Sequence, residues 1–217
     1  MKKIIPVTNL IEIYKNGFFP MAENKNSQEI NFFKPKLRFI IPLNQFHLSK
    51  KLYRLFKKSK YTYKINYNFE QVIYNCQQVK RKPNSTWIND IIANTYLELF
   101  KIKKCHSVEC YEGKKMIGGL YGVQIGGCFF GESMFSLESN TSKFCLLYLM
   151  AILRKNSFSL LDSQFYNEHL IQFGAYEITN KDYMLMLKKS LKKKCKFNFI
   201  EDFHEVLSLI QASNQRS

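Results

Sequence analysis

After Cys105 the apolar residues change their period, and few folds accommodate that change. Upstream they recur at three- and four-residue steps, the spacing of one helix face; downstream they alternate, the spacing of a strand with one buried side. Ser49 to Ser59 predicts a helix capped by Ser49, with Leu48, Leu52, Leu55 and Phe56 on one face. Asn68 to Cys76 predicts another, with Asn68 as cap, Gln71 in the capping-box position, and Phe69, Val72, Ile73 and Cys76 on one stripe. Asn89 starts a third through Ile92, Tyr96 and Leu99. Beyond the switch, His106 to Glu112, Lys115 to Val123 and Gln124 to Gly131 read as three antiparallel strands, turning at Glu112-Gly113 and near Gln124 to Gly127. A buried helix from Ser142 to Arg154, a strand from Phe158 to Gln164, a short helix from Glu168 to Phe173 and a strand from Ala175 to Ile178 follow. Asn180 then caps a terminal helix. Helices, meander, helix, strand, helix is the order of an α+β domain with helices around a central mixed sheet.

A chain of 217 residues with 46% hydrophobic and 15% aromatic side chains can bury one good core, with or without a small appended lobe. No apolar run approaches the ~18 residues of a membrane span. The opening Met1-Lys-Lys-Ile-Ile-Pro6 is broken by proline before an apolar signal segment forms, so export is not expected. The six cysteines lack CxxC spacing and read as small core hydrophobes of a reducing cytoplasm. Cys105, His106 and Cys110 lie close in sequence, but a strand would point them to opposite faces, so no metal site is expected.

The chain carries 33 Lys and Arg against 17 Asp and Glu, a formal net charge of +16. Ten basic residues fall between Lys34 and Lys64, Arg38 among them, with no acidic one. Further clusters lie at Lys80-Arg81-Lys82, at Lys101, Lys103 and Lys104, and from Lys188 to Lys196. Such a surface attracts polyphosphate, and nucleic acid is the expected partner; a solvated surface on a lysine-rich protein is the alternative.

Chemistry is concentrated in Gly126-Gly-Cys-Phe-Phe-Gly-Glu-Ser-Met-Phe-Ser136 and in Leu160-Leu-Asp-Ser-Gln164. A carboxylate and an Asp/Gln pair among apolar residues are costly to bury unless something binds them. Strand alternation would set Asp162 and Gln164 on one face. Glycines at 118, 119, 122, 126, 127 and 131 mark bulges or places where a ligand passes close to the backbone. The single tryptophan, Trp87, is either an anchor at a loop-to-helix junction or a stacking surface.

Read in order, Gly17-Phe-Phe-Pro20, His47-Leu-Ser49, Thr86-Trp-Ile88, His106-Ser-Val-Glu109, Gly118-Gly-Leu-Tyr-Gly122, Phe130-Gly-Glu-Ser-Met-Phe-Ser136, Leu161-Asp-Ser-Gln164, His169-Leu170 and Gly174-Ala-Tyr-Glu-Ile178 resemble the motifs of bacterial leucyl/phenylalanyl-tRNA–protein transferases. The resemblance runs from about Leu10 to Leu191. It implies a small N-terminal lobe (1–37) and an acyltransferase domain (38–217) of the GCN5-related N-acetyltransferase type, with the tail from Phe197 unassigned. It also implies transfer of Leu or Phe, and Met less well, from aminoacyl-tRNA to proteins with N-terminal Arg or Lys. The products are substrates of the N-degron pathway, made in the cytoplasm by a monomer without a cofactor.

Carried onto this chain, the resemblance makes Glu132 the clamp for the aminoacyl ammonium. Asp162 becomes the base or its polariser, and Gln164 the group that contacts the amine or carbonyl. The acyl pocket maps to Leu120, Phe129, Met134, Leu146, Leu149, Leu153 and Leu161, each equally explicable as core. Trp87 would lie against the terminal adenosine, and the helix bearing Lys50, Lys51, Arg54, Lys57 and Lys58 would hold acceptor-stem phosphates. The first lobe departs from the pattern, with Met21-Ala-Glu-Asn24 where the family carries a tryptophan-rich turn. An acetyl-CoA-dependent acetyltransferase is the main alternative, but Leu137 to Lys143 lacks the glycines of a pyrophosphate cradle. A non-catalytic RNA-binding protein is the other, and it leaves Glu132, Asp162 and Gln164 without a purpose.

Overall fold

A computed structural model describes residues 3–79 and 86–211. The basic loop residues Lys80, Arg81 and Lys82, the first two residues and the last six of the tail lie outside the described residues. In chain order the elements are α1 (Val7–Lys15), β1 (Phe19–Met21), β2 (Asn31–Phe33), β3 (Leu37–Ile41), α2 (Lys50–Lys58), β4 (Thr62–Ile65), α3 (Phe69–Gln78), α4 (Asp90–Lys101), β5 (Cys105–Glu112), β6 (Lys115–Ile125), β7 (Cys128–Ser136), α5 (Thr141–Lys155), β8 (Leu160–Asp162), α6 (Glu168–Ile171), β9 (Tyr176–Thr179), α7 (Asn180–Leu191) and α8 (Phe203–Gln211).

Seven strands form one mixed sheet in the order β4-β5-β6-β7-β8-β3-β9, and β1 pairs with β2 beside it. Within it only β7 and β8 run parallel, because α5 carries the chain across one face between them. Alternation sends Phe39, Ile41 and Leu161 to the layer of α2, α5 and α8. Ile40, Leu160 and Phe130 face the layer of α1, α3, α4 and α7. The expected α+β class, helices on both faces of a mixed sheet, is therefore the observed one.

Local signals placed most elements. Ser49 Oγ accepts the Leu52 N–H, Asn68 Oδ1 that of Gln71 and Asn89 Oδ1 that of Ile92, so three predicted caps close three helices. Thr179 rather than Asn180 caps α7, through the Asp182 N–H. Leu55 is exposed although its spacing puts it near the apolar stripe of α2; Leu52 and Phe56 alone fill that contact. The third strand of the meander runs from Cys128 to Ser136 instead of Gln124 to Gly131, because β6 continues to Ile125 and the turn is Gly126-Gly127. That shift places Glu132 within the strand.

The glycines serve the protein's own packing. A Cβ on Gly118 would come within 2.5 Å of Thr141, one on Gly119 within 2.7 Å of Phe135, and one on Gly126 within 2.6 Å of the Leu191 carbonyl. Gly118, Gly119 and Gly126 therefore make room for protein and not for a ligand; of the two readings offered by the sequence, a bulge holds at Gly118 and Gly122, which adjoin register shifts. Gly131 differs: its nearest neighbour would be the Asp162 carbonyl at 3.4 Å, an ordinary contact. Gly118→Ala is expected to cost about 1–3 kcal/mol in urea unfolding and Gly131→Ala under about 1 kcal/mol.

The tail is part of the core. Ile200, Val206 and Ile210 are fully buried against the α5 layer, and the Tyr148 hydroxyl donates to the Ile200 carbonyl. Phe197 stacks between His106 and Phe129. Burial lowers the His106 pKa to about 4, so this imidazole is neutral at pH 7. Among the described residues no helix is long and apolar enough to cross a membrane.

Candidate active site

Glu132 owes its direction to a β-bulge. β6 and β7 pair Gly122 with Gly131 and then Tyr121 with Ser133, leaving Glu132 as the extra residue on β7. Phe130 and Phe135 consequently share one face, an odd step that unbroken alternation forbids. β7 and β8 stay paired from Cys128 and Leu160 only to Phe130 and Asp162, and then part. Between the parting chains opens a cavity of about 690 Å³.

Two kinds of wall enclose it. Leu120, Met134, Leu146, Leu149 and Leu161 line it with apolar surface, joined by Ile41 and Leu170. Glu132, Asp162 and Gln164 line it with polar groups, and Trp87, Phe165, Tyr166 and His169 are also on its wall. Phe129 and Leu153, assigned to the same pocket from sequence, are fully buried and are not among its lining residues. Phe129 is covered by Phe197, a contact that the unassigned tail concealed. Trp87 is half-buried, and its carbonyl accepts the Ala22 N–H, so it both anchors the N-terminal segment and faces the cavity.

Glu132 is 8% exposed and carries no cationic partner among the described residues. Its Oε1 accepts the Tyr14 hydroxyl at 2.7 Å and the Gln164 amide at 2.9 Å, and its Oε2 accepts the Tyr96 hydroxyl at 2.7 Å. Burial pushes its pKa up to about 7, the three hydrogen bonds pull it down, and the Asp162 charge adds to the rise. A carboxylate held in this way is a receptor for a positive group.

Asp162 is arranged differently. Arg38 Nε and Nη2 donate to Oδ1 at 2.9 Å and to Oδ2 at 2.6 Å, the Tyr183 hydroxyl to Oδ2 at 2.8 Å and the Gln164 N–H to Oδ1 at 2.8 Å. Arg38 and Asp162 are both fully buried. Burial acts to lower the Arg38 pKa, but the Asp162 charge and hydrogen bonds outweigh it, and the net shift is upward. Arg38 is therefore no part of the basic surface to which its place in sequence assigned it. β8 ends at Asp162, and Gln164 reaches Glu132 from a left-handed turn with φ 69° rather than by strand alternation. That backbone costs on the order of 1 kcal/mol and is held by the Asp162 carboxylate on the Gln164 N–H.

Sequence reasoning missed Tyr14, Tyr96, Arg38 and Tyr183. Tyr96 counted only as a member of an apolar stripe, and Tyr14 lies in α1, ahead of the first motif, Gly17-Phe-Phe-Pro20, that carries the resemblance. An arginine inside Leu37-Arg-Phe-Ile-Ile41 was the one available signal, since a cation inside a short apolar strand needs a buried anion.

The cavity sets a buried carboxyl group beside an apolar wall, an arrangement able to hold a ligand that carries both a positive group and an apolar side chain. The sequence profile described as leucyl/phenylalanyl-tRNA protein transferase matches residues 40–188. The leucyl/phenylalanyl-tRNA–protein transferase of Maricaulis maris is 41% identical over 208 residues, 96% of each chain. That of Chlorobaculum tepidum is 39% identical over 194 residues, 89% of this chain and 100% of the relative. This chain belongs to the leucyl/phenylalanyl-tRNA–protein transferase family. Among solved structures, L-PGS from Bacillus licheniformis aligns with TM-score 0.39 and 10% identity over 97% of this chain and 71% of that one. A GCN5-related N-acetyltransferase-like protein from Streptococcus suis aligns at 0.29 and 13%, over 87% and 64%. At these values neither likeness carries an argument.

Proposed function

We propose that the chain transfers Leu or Phe, and Met less well, from aminoacyl-tRNA to the α-amino group of proteins beginning with Arg or Lys, committing them to the N-degron pathway in the cytoplasm. The carrying observation is Glu132, a buried carboxyl group on the wall of an apolar cavity, hydrogen-bonded to three neutral side chains and to no cation among the described residues. An aminoacyl-tRNA ester is already activated, so catalysis consists of holding its carbonyl against an incoming amine and removing a proton. Glu132 captures the α-ammonium of the aminoacyl group, and Leu120, Met134, Leu146, Leu149 and Leu161 receive its side chain.

Gln164 orients the attacking amine or the carbonyl. Asp162 acts through it as polariser and support, because four donors already occupy its carboxylate. The small lobe (1–37) contributes to the site of the larger domain (38–217) by way of Tyr14. Trp87 takes the terminal adenosine. Lys50, Lys51, Arg54, Lys57 and Lys58, all exposed on α2, hold phosphates of the acceptor stem in a monomer that needs no cofactor.

Incubation with labelled Phe-tRNA and an Arg-initiated peptide tests this reading. Label in the peptide supports it; no label, with acetyl-CoA consumed instead, sinks it. Leu149→Phe, which fills the apolar wall, is expected to reduce Phe transfer roughly tenfold more than Met transfer in competition assays.

A further inference from the structure

Glu132 sits in a triangle of oxygens whose hydrogen count is unbalanced. Tyr14 and Tyr96 each approach a Glu132 oxygen at 2.7 Å and approach each other at 2.8 Å. Three short oxygen–oxygen contacts require three hydrogens, and two hydroxyls supply two. With Glu132 ionised, one contact is a bare lone-pair repulsion at hydrogen-bond distance. With Glu132 protonated the ring closes head to tail: Glu132 donates to Tyr96, Tyr96 to Tyr14, and Tyr14 back to the other carboxyl oxygen. Gln164 keeps its own bond to that oxygen.

The alternatives for the third hydrogen are few. Among the described residues Glu132 interacts with Tyr14 from α1, Tyr96 from α4, Cys105 from β5, and Asp162 and Gln164 at the end of β8, while Tyr121 on β6 packs against Tyr96. Arg38 is committed to Asp162. Burial, then the neighbouring Glu132 charge, raises both tyrosine pKa values, so neither hydroxyl is ionised near neutral pH. Burial raises the Glu132 pKa, and donation from both tyrosines to an ionised carboxylate would lower it; in the closed ring Tyr14 alone of the two donates to Glu132, and Glu132 donates to Tyr96.

We infer that Tyr14 and Tyr96 are positioning residues that hold Glu132 protonated in the empty site, so that capture of an aminoacyl ammonium group expels one proton. This rests on the reading that Glu132 receives that ammonium. In the exchange the Glu132 O–H bond breaks, its proton leaves to solvent, and the carboxylate accepts N–H bonds from the ligand. The charge inside the cavity rises by one on binding and falls by one on ionisation, so the site is neutral with and without ligand. The buried carboxylate thus meets its cation without first standing charged and unpaired.

Calorimetric titration tests this with adenosine carrying phenylalanine through a stable 3′-amide, run in two buffers of different ionisation enthalpy at about pH 6 and about pH 8.5. Release of close to one proton per ligand is expected at the lower pH, where the ligand's α-amino group is charged; at the higher, where Glu132 is ionised and that amine is mostly neutral, binding is expected to take up a proton instead. The analogue lacking the α-amino group is expected to release none at either. Tyr96→Phe and Tyr14→Phe each open the ring, so release at the lower pH is expected to fall by more than half. A tyrosine that merely stabilised the carboxylate would make it rise. Unchanged or increased release in both variants, or none in the parent protein, overturns the inference.

If the amide ligand does not bind at all, the aminoacyl reading itself fails. The ring is then decided by infrared difference spectra of the free protein against Glu132→Gln at the lower pH. A protonated-carboxyl band lost in the variant supports it, and the absence of any such band overturns it.

Discussion

Replacing Glu132 by glutamine is expected to lower kcat/KM for aminoacyl transfer by roughly 10²–10³-fold while making the protein more stable at pH 8. The loss follows from the missing charge, since a neutral amide holds an ammonium only through its carbonyl oxygen. The gain follows from burial. The folded-state pKa of Glu132 is raised from 4.5 to about 7, so folding favours the protonated form. Its contribution is therefore harmless below about pH 4.5, turns unfavourable as pH rises from about 4.5 to 7, and is fully unfavourable above. The cost there is on the order of 3 kcal/mol. Glutamine resembles the protonated acid and does not titrate. Urea unfolding of Glu132→Gln should accordingly lose the downward slope of stability across that interval. Binding of uncharged tRNA should stay within about twofold of the parent, because the phosphates are held elsewhere. A variant no more stable than the parent at pH 8 would mean that Glu132 is not desolvated.

Arg38→Met is expected to destabilise the protein by about 3–5 kcal/mol, the largest effect of any single change considered, because it leaves Asp162 buried without its cation. Pairing it with Asp162→Leu is expected to restore most of that stability in urea titrations, since an apolar pair of similar volume no longer buries a charge. Activity is expected to stay low in the double variant. Without the Asp162 carboxylate nothing accepts the Gln164 N–H, and the left-handed backbone that aims its amide at Glu132 loses its support. Stability recovered without activity would separate the structural part of Asp162 from its part in the site. Full recovery of both would show that Gln164 does not need Asp162.

The elements on which the site stands were largely legible because their signals are local. The caps Ser49, Asn68 and Asn89 act within three residues, and each was readable from its own neighbours. Glu132, Asp162 and Gln164 were also visible, as polar groups in apolar runs, and the cavity brings all three together. β3 was not foreseen, because Leu37 to Ile41 is five residues long and its partners lie more than a hundred positions away. The end of β8 was misjudged for a similar reason. Whether Gln164 continues a strand depends on a hydrogen bond to Asp162, which alternation cannot register.

The sequence by itself determined the period switch at Cys105, the α+β class, the basic surface and the family to which the chain belongs. Each depends on residue type at short spacing, which a linear pattern records. Tertiary structure alone decided which glycines touch protein, which arginine is buried, and which residues complete the Glu132 site. Tyr14 lies 118 positions from Glu132 and Tyr96 lies 36 away, and both hydroxyls meet it only because α1 and α4 pack on the same sheet face. A hydrogen count around a buried carboxylate depends on distances between segments remote in sequence, and folding alone sets those distances.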